Sequence, residues 1–246
     1  MVVWAKCAGR PVTTMKANAP ATGSGLDEPR VNAVLRRLHE EAKHDLLVFP
    51  RLIPVLLLAK LKGVPLMTAG KPLFAECFVG VPPKVGNLLY LTARAIDARH
   101  AVEFGTSFGI SSIYLAAAMR DNGGHFVGSD IESNKVAAAR RNLDEAGLSA
   151  FSEVREGDAL QTLQDLAAPV DMVFLDGWKD LYLPVLDLLK PKLRKGSVVV
   201  ADNIHFPPMF RKTMKQYVAH MHDTANGFQS TTLPLGAGIE YSVFEG

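Results

Sequence analysis

Residues 102–112 read VEFGTSFGISS, an apolar run that meets a glycine turn and passes directly into a helix pattern. Glycines at 105 and 109 allow a tight turn and let a ligand approach the backbone without interference from a Cβ atom. Backbone amides at the start of the following helix, together with the Ser111 hydroxyl, can hold a carboxylate or a phosphate. A strand, a glycine turn and a helix in this order are typical of the first unit of a nucleotide-binding α/β sheet.

Downstream of this unit, strand-like and helix-like segments alternate regularly, which predicts right-handed βαβ units. Apolar runs predict strands at 101–104, 125–129, 152–156, 171–175 and 197–201, and helical spacing predicts helices at 110–120, 133–146, 159–167, 180–194 and about 208–222. The last two strand-like runs, FQSTTLP and IEYSVFE, leave no room for a helix between them, so we expect them to pair antiparallel at one side of the sheet. The predicted fold is α/β: a doubly wound Rossmann-like sheet, mostly parallel with an antiparallel C-terminal strand, plus N-terminal helices.

The region before residue 100 differs in character from the alternating core. Residues 1–26 carry no acid and are rich in Ala, Thr, Gly and Pro, which predicts a disordered tail, with a transit peptide or a true start at Met15 as alternatives. We expect residues 27–246 to form a single domain, divided into a helical cap at 27–99 and a cofactor-binding core at 100–246. Within the cap, a helix should begin at Asp27-Glu28-Pro29 and end near His44, and a Gly/Pro-rich loop at 71–86 should lead to a helix from about Asn87 to Asp97.

Composition bounds the class of protein. The chain has 246 residues, a net charge of +2 and two cysteines, which offer no disulfide framework and no zinc-ligand spacing. A reducing cytosol is therefore the expected location, and nucleic acid is not expected as the main partner. The most apolar segment, 45–61, contains two prolines, Arg51 and Lys60 and is too short to span a membrane. It suggests either a homodimer interface or a substrate lid.

The glycine turn and the next strand predict the cofactor. Gly105 and Gly109 form GxxxG rather than GxGxxG, and Glu103 would repel a pyrophosphate but suits an ammonium group. Asp130 follows the second strand, where an acid accepts hydrogen bonds from both hydroxyls of a ribose. S-adenosylmethionine carries an amine, a carboxylate and a ribose, so we predict that Glu103, Gly105, Ser111 and Asp130 bind it.

The turn Gly157-Asp158-Ala159 follows the third strand, where an adenine edge would lie. Asp158 can accept a hydrogen bond from the adenine amine, with Ala159 beside it. The same carboxylate can instead cap the helix predicted at 159–167, and both interpretations stay open at the level of sequence.

Two further strands each end in a carboxylate. VFLDGWKD places Asp176 after one buried run, and SVVVADN places Asp202 and Asn203 after the next. Because the carboxyl ends of parallel strands lie together at one edge, these three side chains can offer oxygen ligands to one divalent cation. Lys179 lies three residues beyond Asp176, and a cation with open positions beside an amine suits activation of a substrate hydroxyl.

From about residue 78 to residue 245, the chain resembles the Mg²⁺-dependent, catechol O-methyltransferase-like family of class I methyltransferases. The segments VEFGTSFGISS, FLDGWKDLYLP, LRKGSVVVADN and GIE carry the resemblance. The resemblance implies transfer of a methyl group from S-adenosylmethionine to a hydroxyl of a catechol-like small aromatic molecule. The alternatives are a bulkier phenolic ester or natural product as substrate, or a non-catalytic module that binds S-adenosylmethionine.

The resemblance also implies roles for individual residues. Ile131 and Trp178 would pack beside the adenine, Val81 would close over the methionine part of the cofactor, and Asp176 would border both the cofactor and the metal. Lys179 would deprotonate the accepting hydroxyl, and Glu240, in Gly238-Ile239-Glu240, would bind the second hydroxyl. The chain departs from the family at two positions: Gly177 stands where catechol O-methyltransferases carry His, and Ser107 replaces an aromatic residue.

Overall fold

The structure is a computed structural model that describes residues 25–43, 54, 58 and 80–246. Residues 1–24 of the tail predicted at 1–26, and most of the apolar segment at 45–61, lie outside these residues. None of the helices in the described ranges is long and apolar enough to cross a membrane.

Seven strands in the described part of the chain form one mixed sheet in the order β3-β2-β1-β4-β5-β7-β6. Their bounds are β1 His100–Phe104, β2 His125–Asp130, β3 Ser152–Glu156, β4 Val170–Leu175, β5 Leu193–Ala201, β6 Phe228–Leu233 and β7 Ile239–Phe244. The five strands β1 to β5 are parallel, and β7 pairs antiparallel with both β5 and β6. The predicted fold class and the antiparallel pairing of the last two strands are confirmed.

Helices cover both faces of this sheet. Within the described ranges they are α1 Pro29–Lys43, α2 Pro83–Ala95, α3 Ile110–Asn122, α4 Ser133–Glu145, α5 Ala159–Thr162, α6 Tyr182–Leu189 and α7 Arg211–His222. Apolar side chains of α1 to α4 share one core cluster with one face of the sheet, and those of α5 to α7 share a second cluster with the other face.

Strand β4 shows why the sequences of the central strands are continuous apolar runs. Met172 and Phe174 belong to the first core cluster, whereas Val173 and Leu175 belong to the second. All four side chains are fully buried because helices cover both faces, so the alternation of apolar and polar residues expected of a half-exposed strand is absent.

Three helix boundaries differ from those predicted. Helix α2 begins at Pro83, inside the predicted loop, because Pro83 occupies a first-turn position where a missing N–H costs no hydrogen bond. Helix α5 ends at Thr162 rather than at residue 167. Helix α6 is confined to Tyr182–Leu189 because the chain joins β5 already at Leu193.

The strand order reverses between β1 and β4, because β2 and β3 lie on one side of β1 and β4 and β5 lie on the other. Ligands of open α/β sheets bind beyond the carboxyl ends of the strands at such a switch point. The glycine turn after β1 and the acidic segments after β4 and β5 therefore all lead out of the same edge.

Candidate active site

The glycine turn after β1 is shaped by close backbone contacts. Gly105 has φ of 99°, and a Cβ atom there would lie 2.5 Å from the Gly177 amide nitrogen. Gly109 has φ of 89°, and a Cβ atom there would lie 3.1 Å from Ala139 on α4. Only glycine satisfies both the left-handed backbone and the close approach, which ties the turn to β4 on one side and to α4 on the other.

Glu103 lies fully buried in β1, directly before this turn. Its Oε2 accepts a 2.5 Å hydrogen bond from the Ser112 hydroxyl, and its buried Oε1 accepts none from the residues that the structure describes. Burial raises the pKa of Glu103 to about 8, opposed by the nearby Ser111 and Ser112 hydroxyls and reinforced by the charges of Asp176 and Asp130. An unpartnered buried carboxyl oxygen is costly, so this position suits a ligand that donates a hydrogen bond or carries a positive charge.

Asp130 ends β2 and holds the glycine turn in place. Its Oδ2 accepts a 2.7 Å hydrogen bond from the Ser107 amide, and its Oδ1 accepts one of 3.0 Å from the Glu132 amide. Ser107 has φ of 49°, an unusual conformation for a residue with a side chain, and the bond to Asp130 supports it. The next residue, Ile131, is 52% exposed and offers an apolar surface at the mouth of the site.

The other predicted cofactor residues occupy different environments. Asp158 accepts a 2.9 Å hydrogen bond from the Leu160 amide and so caps α5, the alternative that the sequence left open, and Ala159 is the buried first residue of that helix. Val81 is buried in the core cluster of the α1–α4 face. Trp178 is partly buried and packs against the cluster on the opposite face.

The carboxylates after β4 and β5 lie at the same edge of the sheet, as predicted. The Asp176 amide donates to the Phe104 carbonyl at 2.8 Å, and the Asp202 amide donates to the Leu175 carbonyl at 3.0 Å. These bonds continue the ladders β1–β4 and β4–β5 by one residue each. Both acids therefore follow directly on their strands, on neighbouring positions of the edge.

Asn203 links the two acids. Its backbone has φ of 60°, and its Nδ2 donates to Asp176 Oδ1 at 2.9 Å while its amide donates to Asp202 Oδ1 at 2.6 Å. The left-handed conformation, which Asn tolerates better than most residues, turns the side chain back toward β4. The structure thus brings together Asp176, Asp202 and Asn203, the three predicted metal ligands.

Burial acts on the pKa of both acids in the same direction. Burial raises the pKa of Asp176 above its usual range, against the opposing effects of Lys179 and Asn203. Burial also raises the pKa of Asp202, and the charge of Asp176 adds to this rise. The pair is short of positive charge, so a cation between the two carboxylates would stabilise their ionised forms.

Lys179 provides a positive charge close to these two acids. Its side chain is buried, with Nζ 3.6 Å from Asp176 Oδ1 and 3.5 Å from the Asp202 carbonyl oxygen. Burial lowers the pKa of Lys179, and the attraction of Asp176 and Asp202 opposes that effect. A lysine whose charged form is disfavoured by burial is better able to accept a proton near neutral pH.

The donor set fits a hard divalent cation. The set includes an amide, because no group of three or more His, Cys, Asp or Glu side chains across residues 25–43 and 80–246 is placed to hold a metal ion. The set at this edge has two carboxylates and one amide, and Mg²⁺ favours such oxygen donors while keeping several positions for water or substrate.

Glu240 has a different setting from the other predicted site residues. It is fully buried in β7, opposite Ala201 of β5. Its Oε1 lies 2.8 Å from His222 Nε2, and its Oε2 accepts a 2.6 Å hydrogen bond from the Thr232 hydroxyl. One carboxylate oxygen thus contacts α7, and the other contacts β6.

The structure adds three features that the sequence did not reveal. Ser112 holds Glu103, the Phe104 ring fills the space beside Gly177, and the Tyr182 hydroxyl contacts Lys179. Ser112 directly follows Ser111 in the helix pattern, and nothing in that pattern indicated that the Ser112 hydroxyl would turn back toward β1. The ring of Tyr182 is fully buried, so its hydroxyl reaches Lys179 from inside the core.

Comparison with known proteins agrees with this geometry. Residues 102–204 match a protein family described as a methyltransferase domain. Over 130 residues, 51% of the chain, the sequence is 33% identical to a catechol O-methyltransferase from Niastella koreensis. Over 127 residues it is 36% identical to a catechol O-methyltransferase from Mycobacterium tuberculosis. These matches span 58% and 57% of the relatives, so the chain covers little more than half the length of the curated proteins that it resembles.

Solved structures extend the similarity beyond the matched domain. The cofactor-bound crystal structure of Rv0187 from MTB superposes with a TM-score of 0.64 at 29% identity, covering 70% of this chain and 85% of that one. The O-methyltransferase TomG from Streptomyces achromogenes, solved in complex with SAM, gives a TM-score of 0.63 at 25% identity, covering 79% and 89%. In its fold the chain resembles class I methyltransferases, and in sequence it is similar to the catechol O-methyltransferases among its relatives.

Proposed function

We propose that this protein transfers a methyl group from S-adenosylmethionine to one hydroxyl of a catechol-like small aromatic substrate, with Mg²⁺ or another divalent cation bound at the sheet edge. The observation that carries the proposal is the meeting of Asp176, Asp202, Asn203 and Lys179 beyond the ends of β4 and β5. A cytosolic enzyme with a small-molecule partner fits the composition of the chain.

Residues of the glycine turn and β2 would hold the cofactor. Glu103 Oε1, which accepts no hydrogen bond within the described ranges, suits the ammonium group, and Asp130 at the end of β2 would accept hydrogen bonds from the ribose hydroxyls. Both acids are fixed before any ligand binds, Glu103 by Ser112 and Asp130 by two backbone amides. Bound S-adenosylmethionine supplies an electrophilic methyl group, and a rigid pocket contributes to the rate by holding that group in one place.

Asp176, Asp202 and Asn203 would hold the cation. When bound, such a cation lowers the pKa of a hydroxyl that it coordinates, which favours the oxyanion that a methyl acceptor must become. A substrate with vicinal hydroxyls would suit a site that holds such a cation, because it offers two oxygen donors on one molecule. The preference for a diol is therefore a consequence of the proposed donor set.

Lys179 would accept the proton from the substrate hydroxyl at Nζ. The atom lies at the edge between the two acids, and burial already disfavours its charged form. Its buried position also limits its access to bulk water, so the proton would be held near the two acids.

The role of Glu240 stays a prediction from the family resemblance. For Glu240 to bind a second hydroxyl, its carboxylate would have to share an oxygen that now contacts His222 or Thr232. Asp176, Asp202 and Asn203 would therefore contribute more to recognition of the diol, through the cation that they would hold, and Glu240 would have a secondary part.

A bulkier phenolic natural product is the second candidate substrate. TomG, which is involved in tomaymycin synthesis, superposes over 79% of this chain. The exposed apolar side chains Phe206 and Met209, which follow Asn203 closely in sequence, would offer such a substrate an apolar contact surface.

A substrate panel tests the proposal. Transfer of labelled methyl from S-adenosylmethionine should be measured with ortho-diols, with matched mono-phenols and with larger phenolic esters, each in Mg²⁺ and in EDTA. We expect ortho-diols to be methylated in Mg²⁺ only. Equal transfer to mono-phenols, or transfer that EDTA leaves unchanged, would contradict the chelation mechanism. Cofactor binding without transfer to any of these compounds would instead support a binding module.

A further inference from the structure

Tyr182 is the first residue of α6 and lies under the candidate catalytic groups. Its side chain is fully buried, and its ring meets the edge of Phe104 at 6.4 Å and the edge of Tyr217 at 5.4 Å between centroids. Two edge-to-face contacts fix the plane of the ring, so the position of its hydroxyl is set by packing.

The hydroxyl makes two hydrogen bonds that together use its donor and one acceptor site. It donates to the Asp202 carbonyl oxygen at 2.9 Å and accepts from Lys179 Nζ at 2.5 Å. Lys179 Nζ also lies 4.7 Å from the centroid of the same ring. One side chain thus contacts both the lysine and the backbone of a candidate metal ligand.

The other polar contacts of Lys179 are longer. Its Nζ lies 3.5 Å from the Asp202 carbonyl oxygen and 3.6 Å from Asp176 Oδ1, at or beyond the limit of a good hydrogen bond. The Tyr182 hydroxyl is therefore the contact that determines where the lysine head group lies. Without it, the flexible four-carbon side chain would have only weak contacts to hold it at the sheet edge.

We propose that Tyr182 is a positioning residue, whose hydroxyl holds Lys179 Nζ beside Asp176 and fixes the peptide group of Asp202. The inference rests on the proposed function, because Lys179 matters for the rate only if it accepts the substrate proton. Tyr182 itself touches neither substrate nor cofactor in this assignment. It acts through the lysine and through the backbone of Asp202.

Tyr217 provides a matched control. It is a buried tyrosine on α7 whose ring packs edge-to-face with Tyr182. Its hydroxyl has no hydrogen-bond partner in the described part of the chain. Tyr217→Phe removes a hydroxyl from the same aromatic cluster without removing a bond to Lys179 or Asp202. Tyr182→Phe removes a hydroxyl that makes both.

The experiment compares Tyr182→Phe and Tyr217→Phe in the full chain. We expect Tyr182→Phe to lower kcat about 10- to 100-fold, the size of effect that a small misplacement of a reacting group produces. The Kd and KM for S-adenosylmethionine should stay within about twofold, because Tyr182 makes no contact with Glu103 or Asp130, the acids proposed to bind the ammonium group and the ribose. Tyr217→Phe should leave kcat within about twofold of wild type.

A second readout does not depend on turnover. In the ¹⁵N spectrum of lysine side chains, a buried and hydrogen-bonded Lys179 should give a slowly exchanging Nζ signal, assigned by its loss in Lys179→Met. That signal should shift or broaden beyond detection in Tyr182→Phe and stay in Tyr217→Phe. If Tyr182→Phe does not fold, the wild-type spectrum decides by the presence or absence of a contact between the Lys179 ζ protons and the Tyr182 ring.

The two readouts separate the inference from the proposed function. Equal kcat values and equal Lys179 signals in the two variants would overturn the positioning role. A wild-type protein that transfers no methyl group, but whose Lys179 signal depends on the Tyr182 hydroxyl, would overturn the proposed function while retaining the contact. A fall in kcat that is matched in Tyr217→Phe would reduce Tyr182 to a packing role.

Discussion

The space around position 177 explains why Gly stands here in place of the His that catechol O-methyltransferases carry. A Cβ atom at Gly177 would lie 2.5 Å from the Phe104 ring, and a Cβ atom at Gly105 would lie 2.6 Å from the Gly177 Cα atom. Phe104 in turn packs on Tyr182, which contacts Lys179. The absence of a side chain at 177 thus leaves room for an aromatic ring that packs beneath the candidate catalytic edge.

Gly177→Ala tests whether the glycine and the ring are coupled. We expect a loss of about 1–3 kcal/mol in the free energy of unfolding, because an added methyl group in a filled space forces neighbours to shift. Phe104→Leu in the same chain should recover part of that loss, since the smaller side chain makes room. Urea unfolding of the two single variants and the double variant measures the interaction. Strictly additive losses would show that the ring and the glycine are not coupled.

Glu103 predicts a pH dependence of stability. Its pKa rises from 4.5 to about 8 on folding because the side chain is buried, so the folded state binds its proton more tightly than the unfolded state. The contribution of Glu103 to stability is greatest below pH 4.5, falls as the pH rises toward 8 and is constant above, with a slope of at most about 1.4 kcal/mol per pH unit.

Glu103→Gln removes this ionisation while keeping the shape of the side chain. Unfolding by urea between pH 5 and pH 8 should show a smaller loss of stability with rising pH in Glu103→Gln than in wild type. Asp187→Asn, at an exposed position of α6, serves as the surface control. Parallel pH profiles for wild type and Glu103→Gln would mean that Glu103 is ionised in the folded protein throughout this range.

At the scale of elements, the N-terminal helix forms part of the main core. Val31, Val34, Leu35 and Leu38 of α1 lie in the same apolar cluster as α3 and one face of the sheet. Arg37 also reaches α4, where its guanidinium group donates to Asn142 and Glu145. Helix α1 is therefore expected to unfold together with the core.

Leu38→Ala measures that attachment. Leu38 is 1% exposed, and truncation of a buried leucine leaves a cavity, so we expect a loss of about 2–5 kcal/mol in the free energy of unfolding. Arg36→Ala, on the exposed side of the same helix, should change it by less than about 0.5 kcal/mol. A small effect of Leu38→Ala, with α1 lost in a separate transition, would show that the helix is a detachable cap.

The strands could be predicted more accurately than the helices. Buried runs such as MVFL and SVVV can form only central strands here, and their bounds agree with the structure to within a few residues. Helix ends depend on tertiary neighbours: α5 has a strong cap at Asp158 but stops after one turn, and α6 gives way to β5. Local pattern does not contain that information.

At the scale of the molecule, topology explains why a linear pattern could predict which side chains meet at the candidate site. Because β1, β4 and β5 are parallel neighbours, acids that follow them must meet at one edge, and Asp176, Asp202 and Asn203 do. Contacts that depend on the direction in which a side chain points could not be predicted in this way. The bonds from Tyr182 to Lys179 and from Glu240 to His222 depend on how α6 and α7 pack against the sheet.

The central claim is that a divalent cation at this edge activates the acceptor, and the most direct test is the rate of methyl transfer to an ortho-diol as a function of Mg²⁺ concentration. Protein stripped with EDTA should be inactive and should regain activity along a saturable curve. Asp202→Asn should shift that curve to higher Mg²⁺ without unfolding the protein, because burial and Asp176 already disfavour the charge at this position. Asp187→Asn should follow the wild-type curve. Full activity in the stripped protein, or an unchanged curve in Asp202→Asn, would contradict the account.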